Sequence, residues 1–300
     1  MDKVNENISA RIHLLKAKFD SGSVQQNRLR KQSKLILGFV WVAAILLVVT
    51  FTQTVVFAIS ENFCITDFNP PVWAANLSEF LSPLAIMVSV LMAAYLALNQ
   101  LSEKVNRDKV EHAHDLCSSA PDINIVFASI GPLNNHLEEA YKNCLEASHS
   151  KERLPLNDDP WDIFVTKMEQ MADDFPSAIK STAQALSADH KEEIYKVFEA
   201  LAFFDKTAIA ICDKHADDRV FWSRYNHAGF SIWIYSFPII ISCWILHMNS
   251  YYLSNSKSFG EPFEHFEAWL RYHSGQAGNA ELDEMMDRLS RIRKKVLEAQ

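Results

Sequence analysis

The sequence predicts an all-α protein, in which an N-terminal two-helix transmembrane hairpin is followed by a cytosolic helical bundle. Three observations carry that prediction. The 300-residue chain is 49% hydrophobic yet holds only 7 Gly and 10 Pro, which favours helices over short strands and turns. Two stretches, 35–59 and 80–98, contain no charged residue. Elsewhere apolar side chains recur at three- and four-residue intervals, the helical period. The organisation read from this is a basic N-terminal segment (1–34), the hairpin (35–98), a helical domain (99–275) and a C-terminal helix (276–300).

In the first segment Ile8, Ile12, Leu15 and Phe19 form an apolar stripe beside Arg11, Lys16 and Lys18. Such a helix suits an anionic lipid surface, and it equally suits packing on the protein's own helical domain. Residues 35–59, 25 in number, and 80–98, 19 in number, meet the length of roughly 20 apolar residues that a helix needs to cross a bilayer core. Lipid offers no partner to backbone amides, so segments of this kind must be helical. The first follows a 34-residue leader and exceeds the apolar length of a signal peptide, so it is expected to remain as an anchor. Thr50, Gln53 and Thr54 within it can hydrogen-bond to a neighbouring helix.

Basic residues set the orientation. Lys3, Arg11, Lys16, Lys18, Arg28, Arg30, Lys31 and Lys34 precede the first stretch, and Lys104, Arg107 and Lys109 follow the second. The connecting loop, 60–79, has no Lys or Arg. Short Lys- and Arg-rich flanks stay in the cytoplasm, so the N-terminus and everything from Asn99 onward are expected inside. Phe68 and Trp73 fall where interfacial aromatic residues anchor an outer end. The expected location is the inner (cytoplasmic) membrane, with the lipid bilayer as the first partner.

The helical domain begins with a charged continuation of the second stretch, to about Cys117, which Pro121 ends. A helix near 122–147 carries Gly131-Pro132 as a point of interruption. KERLPLNDDP reads as a loop, and Asp159 as an N-cap with Pro160 at the first helical position. Ser187 is the expected N-cap of the next helix, whose apolar face is Ile194, Val197, Phe198, Leu201, Phe204 and Ala208. Residues 264–272 (EHFEAWLRY) form a short amphipathic helix, followed by the flexible link SGQAGN. In the tail, Leu282, Met285, Leu289, Ile292 and Val296 occupy a and d positions, with Glu284/Arg288 and Asp287/Arg291 as i,i+4 pairs. Docking on its own domain and self-association, with Leu282, Leu289 and Val296 as seam, are the two readings of this helix.

A third uncharged stretch, 229–249, is long enough to span. Against that, Pro238 sits at its centre, and Ser231, Tyr235, Pro238, Ser242 and Asn249 share one face at about 100° per residue. The balance favours a buried or membrane-surface helix in the cytosolic domain, with a third span as the alternative.

Three stretches, LALNQLSEKVNRDKV, VFEALAFFDKTAIAICDKHADDRVFWSRY and FEHFEAWLRY, together resemble a bacterial family of membrane-anchored helical proteins of unknown function. The resemblance covers about half the chain. It implies that 229–249 belongs to a cytosolic bundle, and it brings no catalytic residues. This chain departs from the pattern in being far more apolar there.

Chemistry is sparse. His112, His114, Asp115 and Cys117 are metal-ligand types, but on a helix His112 and His114 point about 200° apart. The metal prediction is therefore none, with these four as the weak candidates. His215, with Asp213, Asp217 and Asp218, reads as an exposed turn with helix-capping acids. GxGxxG, GxxxxGK[ST], HExxH and GxSxG are absent, so no catalytic or cofactor-binding residue and no cofactor is expected. The net charge of −8 argues against nucleic acid. Five separated cysteines form no disulfide framework or zinc pattern.

The function expected from these residues is a non-enzymatic integral membrane protein whose cytosolic domain mediates protein interaction or self-assembly, with an unknown protein partner or a homo-oligomer. The alternatives are a pore-forming effector of the defence or toxin type, and a small channel or transporter with 229–249 as a third span.

Overall fold

A computed structural model describes residue 10, residues 13–19, nine residues between 34 and 52, and residues 72–179, 190–241, 263–276 and 280–298. Among these no strand occurs, and the architecture is all-α. The chain divides into two compact units, Ser23–Asp108 and a second made of Met1–Gly22 with Lys109–Gln300.

In the first unit the described residues from Lys34 to Thr52 are helical. Helix α1, Val72–Ser118, runs unbroken for 47 residues and continues past Asp108 into the second unit. The charged continuation expected after residue 98 is therefore part of one helix. Its large apolar side chains Ile86, Val90, Leu91, Met92, Leu96 and Leu98 are all exposed. At about 100° per residue they are distributed around the whole helix rather than along one stripe. Thr52 Oγ1 donates to Val48 O at 2.7 Å and Ser89 Oγ to Ala85 O at 2.8 Å, so both hydroxyls are satisfied within their own helix. Among the described residues no helix is long and apolar enough to cross a membrane. Of the two apolar stretches, 35–59 is described only in part, and the side chains of 80, 81, 83, 84 and 87 lie outside the described residues. Thr50, Gln53, Thr54 and the side chain of Trp73 also lie outside them.

The second unit is a helical bundle. Asp122 caps α2, Ile123–Ser148, by accepting from Asn124 N at 2.9 Å. The interruption expected at Gly131-Pro132 does not occur. Pro132 lies on the exposed side, a Cβ at Gly131 would meet nothing within 4 Å, and solvent can satisfy the carbonyl that proline leaves unbonded. Asp159 caps α3, Pro160–Asp174, from the position read in the sequence, accepting from Trp161 N at 2.7 Å. Helix α4, Lys191–Cys212, has His190 at its N-cap with no side-chain cap bond, and Ser187 lies outside the described residues. Asp217 caps α5, Asp218–Tyr235.

Helix α5 ends at Ser236, whose N–H bonds to Ile232 O at 2.9 Å, and residues 237–241 form a new helical turn. Pro238 thus falls in a first turn, where its missing N–H costs nothing. Phe230, Ile232, Trp233, Ile234, Phe237, Ile239, Ile240 and Ile241 are all buried. An apolar surface this broad, with a narrow polar face, is what a helix inside a bundle requires. The polar face read in the sequence meets α3, with Trp161 against His227 at 5.0 Å and Phe164 against Tyr235 at 5.3 Å. Residues 242–249 lie outside the described residues.

Helix α6, Glu264–Gln276, extends into the stretch expected as a flexible link. Ser274 is fully buried there and bonds to Asp283 of α7, Ala280–Glu298, so that part of the link is fixed. Leu289, Ile292 and Val296 of α7 are buried in the same core, and α7 packs on α3 and α6. The a/d seam is therefore covered by its own domain. From the N-terminal segment, Phe19 is buried and stacks on Tyr272 at 5.8 Å and 26°. Leu15 packs on the same core, while Ile8 and Ile12 lie outside the described residues.

Candidate functional site

Helix α6 collects the polar chemistry of the bundle, because it packs against α4, α5 and α7 at once. On the α4 side, Asp205 Oδ1 accepts from Phe266 N at 2.9 Å and so caps the start of α6 from another element. On the α5 side, Asp218 Oδ1 accepts from Trp269 Nε1 at 2.7 Å and lies 2.9 Å from His273 Nε2. With its proton on Nε2, the imidazole donates to the carboxylate. Trp222 lies flat against that imidazole, with ring centres 3.9 Å apart and planes within 10°. Trp269 and His273 are one helical turn apart, so both reach the same carboxylate.

On the α7 side, Glu267 is buried between two guanidiniums. Arg293 Nη1 donates to Oε2 at 2.6 Å and Arg271 Nε to Oε1 at 3.1 Å. Arg271 also donates to Asp287 Oδ1 at 2.7 Å, Ser290 Oγ at 2.5 Å and Met286 O at 2.8 Å. A second network ties α7 to α3. Arg288, itself buried, donates to Asp162, to Thr166 Oγ1 at 2.7 Å and to Glu169 Oε2 at 2.8 Å.

Burial would raise the Glu267 carboxyl, but Arg293 and Arg271 outweigh it and hold the group below its ordinary range. Burial likewise works against ionised Asp162, and the Asn157 N–H and Arg288 guanidinium outweigh it. Asp205 goes the other way. Burial pushes its carboxyl up, and the Phe266 N–H it accepts does not cancel that.

The residues singled out in the sequence are not brought together. His112, His114 and Asp115 are exposed on α1, and Cys117 is buried. Among the described residues no group of three His, Cys, Asp or Glu side chains could hold a metal ion. Asp217 caps α5 as expected, but Asp218 serves His273, 55 residues away, rather than His215. Burial raises the thiols of Cys117, Cys144 and Cys212 above their ordinary value, the opposite of nucleophile activation.

A carboxylate that orients an imidazole is also a general-base arrangement. Here the ring is buried and stacked, and its partners among the described residues are Asp218 and the rings of Trp222, Trp269 and Tyr272. The cluster joins α5 and α6. Comparison with protein-family models, with curated proteins and with solved structures gives no match to this chain.

Proposed function

We propose that the chain is a non-enzymatic integral protein of the inner membrane. Residues 35–59 and 80–98 form its hairpin, and its helical bundle, on the cytosolic side, mediates protein interaction or self-assembly. One observation carries the reading. Phe19 precedes both stretches, Tyr272 follows all three, and their rings stack in one core. A bilayer cannot pass between two stacked rings, so the chain between them crosses an even number of times. Crossings at 35–59 and 80–98 make two. A third at 229–249 would make three, and the burial of 230–241 in the bundle argues against it independently.

The apolar side chains exposed around α1 from Ile86 to Leu98 support the same reading, because such a surface is stable only in an apolar surrounding. The hydroxyls of Thr52 and Ser89, bonded within their own helices, suit one too.

Since no described helix reaches the length and apolarity of a span, extraction is the deciding measurement. Full-length protein is expected to stay in the membrane pellet through an alkaline carbonate wash. Quantitative release would overturn the reading. Protease added to outer-membrane-permeabilised cells should spare residues 120–200, and cleavage there would reverse the orientation.

A further inference from the structure

Leu154 and Leu156 are 87% and 77% exposed, the most exposed of the large apolar side chains described. A mobile loop would allow this at little consequence, but this loop is pinned on both sides. Gln170, buried in α3, accepts from Arg153 N at 2.8 Å and from Tyr141 Oη at 2.6 Å, and donates to Lys151 O at 2.8 Å. Arg153 Nη1 donates to Asp173 at 2.7 Å. Asn157 N donates to the buried Asp162 at 2.9 Å, and Asp159 N to Asn157 Oδ1 at 2.9 Å. Pro155 stiffens the remaining step and holds Leu154 extended. Buried Gln170 and Asp162 thus fix the backbone at 151, 153 and 157, exposed Asn157 ties in 159, and Leu154-Pro155-Leu156 projects from that frame. A fixed apolar projection binds at low ordering cost.

The same bundle has a face of complementary character. Tyr195, Phe198 and Ile209 of α4 are 68%, 44% and 37% exposed, and Ala202 between them is exposed too. At about 100° per residue these four share a stripe about 60° wide. Phe198 is set in place by an edge contact with Phe263 at 5.5 Å. Lys191 and Lys206 are exposed on the same line, with Glu199 beside it. The loop is flanked by exposed Glu152 and Asp158.

We infer that the Leu154-Pro155-Leu156 projection of one copy docks on the Tyr195–Phe198–Ala202–Ile209 stripe of a second copy, with Glu152 and Asp158 facing Lys191 and Lys206. The inference rests on the self-assembly reading and names its surfaces. Donor and acceptor are different patches, so the contact is head-to-tail and builds rings or open chains of more than two copies.

Light scattering on the full-length chain in detergent, over a concentration series, tests this. Wild type should grow past a dimer. L154S/L156S and Y195S/K206E alter only exposed side chains, and each alone should need about tenfold higher concentration to associate. Mixed in equal amounts, they should form a one-to-one dimer and stop there, each supplying the patch the other lacks. E152K/D158K should weaken association, and adding K191E/K206E in the same chain should restore it. A wild type that stays monomeric, or a mixture that recovers no dimer, overturns the inference. So does a monomer that binds anionic vesicles in a Leu154- and Leu156-dependent way, since the loop would then be a lipid contact. Carbonate extraction of the same proteins is unaffected by any of these outcomes, so a failure of anchoring is read separately.

Discussion

Replacing Glu267 by Gln should be among the most damaging single-atom changes in the bundle. The carboxylate is buried and receives hydrogen bonds from Arg293 at 2.6 Å and Arg271 at 3.1 Å. Removing its charge leaves the buried Arg293 facing an amide, and breaking a buried pair in this way costs about 3–5 kcal/mol. For a domain of this size that is roughly 6–20 °C in Tm, at about 2–4 °C per kcal/mol. E267L/R293M removes both charges together, and Arg271 keeps Asp287, Ser290 and the Met286 carbonyl. Its expected cost is under about 1.5 kcal/mol, because apolar replacement of a buried pair is often neutral.

Urea unfolding at pH 7, followed by the emission of buried Trp233 and Trp269, measures both. The pH dependence gives a second reading. Glu267 is held below its ordinary 4.5, so its contribution is present above pH 4.5 and is lost as pH falls through the lower folded value. E267Q has no such loss, and its stability should fall less steeply than that of wild type below pH 4.5. If E267Q loses under about 1 kcal/mol, or the double variant is as damaged as the single one, the electrostatic account of how α7 is held fails.

Three other outcomes follow from the same contacts. The Asp205 carboxyl is raised above its ordinary 3.8 by burial, so its contribution is complete below pH 3.8 and is lost as pH rises; D205N, which can still accept from Phe266 N, should be neutral or stabilising in urea at pH 7 and lose that advantage at pH 3.5. A Cβ on Gly229 would meet Leu270 and Trp269 at 3.6 Å and Phe266 at 3.7 Å, ordinary contact distances. G229A should therefore gain up to about 1 kcal/mol of helix propensity, G229I should lose about 1–3 kcal/mol to overpacking, and a thermal melt that puts G229A below wild type would count against the packing described. D159A should cost about 1 kcal/mol through the lost cap on α3, with D159N close to wild type in the same melt.

The elements were legible where a local rule decides them. Asp159-Pro160 announced the start of α3, and the a/d apolar pattern of 282–296 marked α7. The sequence does not show that Pro132 lies on an exposed face, which is why Gly131-Pro132 reads as a break and is none. Ser274 reads as a linker because its partner, Asp283, belongs to the next helix. The polar cluster was largely invisible. Glu267 and Arg271 can be paired from their i,i+4 spacing, but Asp162 and Arg288 are 126 residues apart and Asp218 and His273 are 55 apart. Nothing local links such residues; only the packing of α3, α5, α6 and α7 does. Asp218 lies three residues from His215 in sequence, while the imidazole that it meets, His273, comes from the far end of the chain.

The seat of Phe19 has a bearing on biosynthesis. Its stacking partner, Tyr272, is translated 253 residues later, which at about 5–20 residues per second is an interval of roughly 13–50 s. During that time the aromatic ring near the start of the nascent chain has no native place to go. The intervening segments have already left the ribosome, and any lipid insertion they undergo precedes closure of the bundle. Maturation of this protein is therefore expected to be late and all at once, and a stalled ribosome short of α6 would release a chain with its first hydrophobic anchor point still unmet.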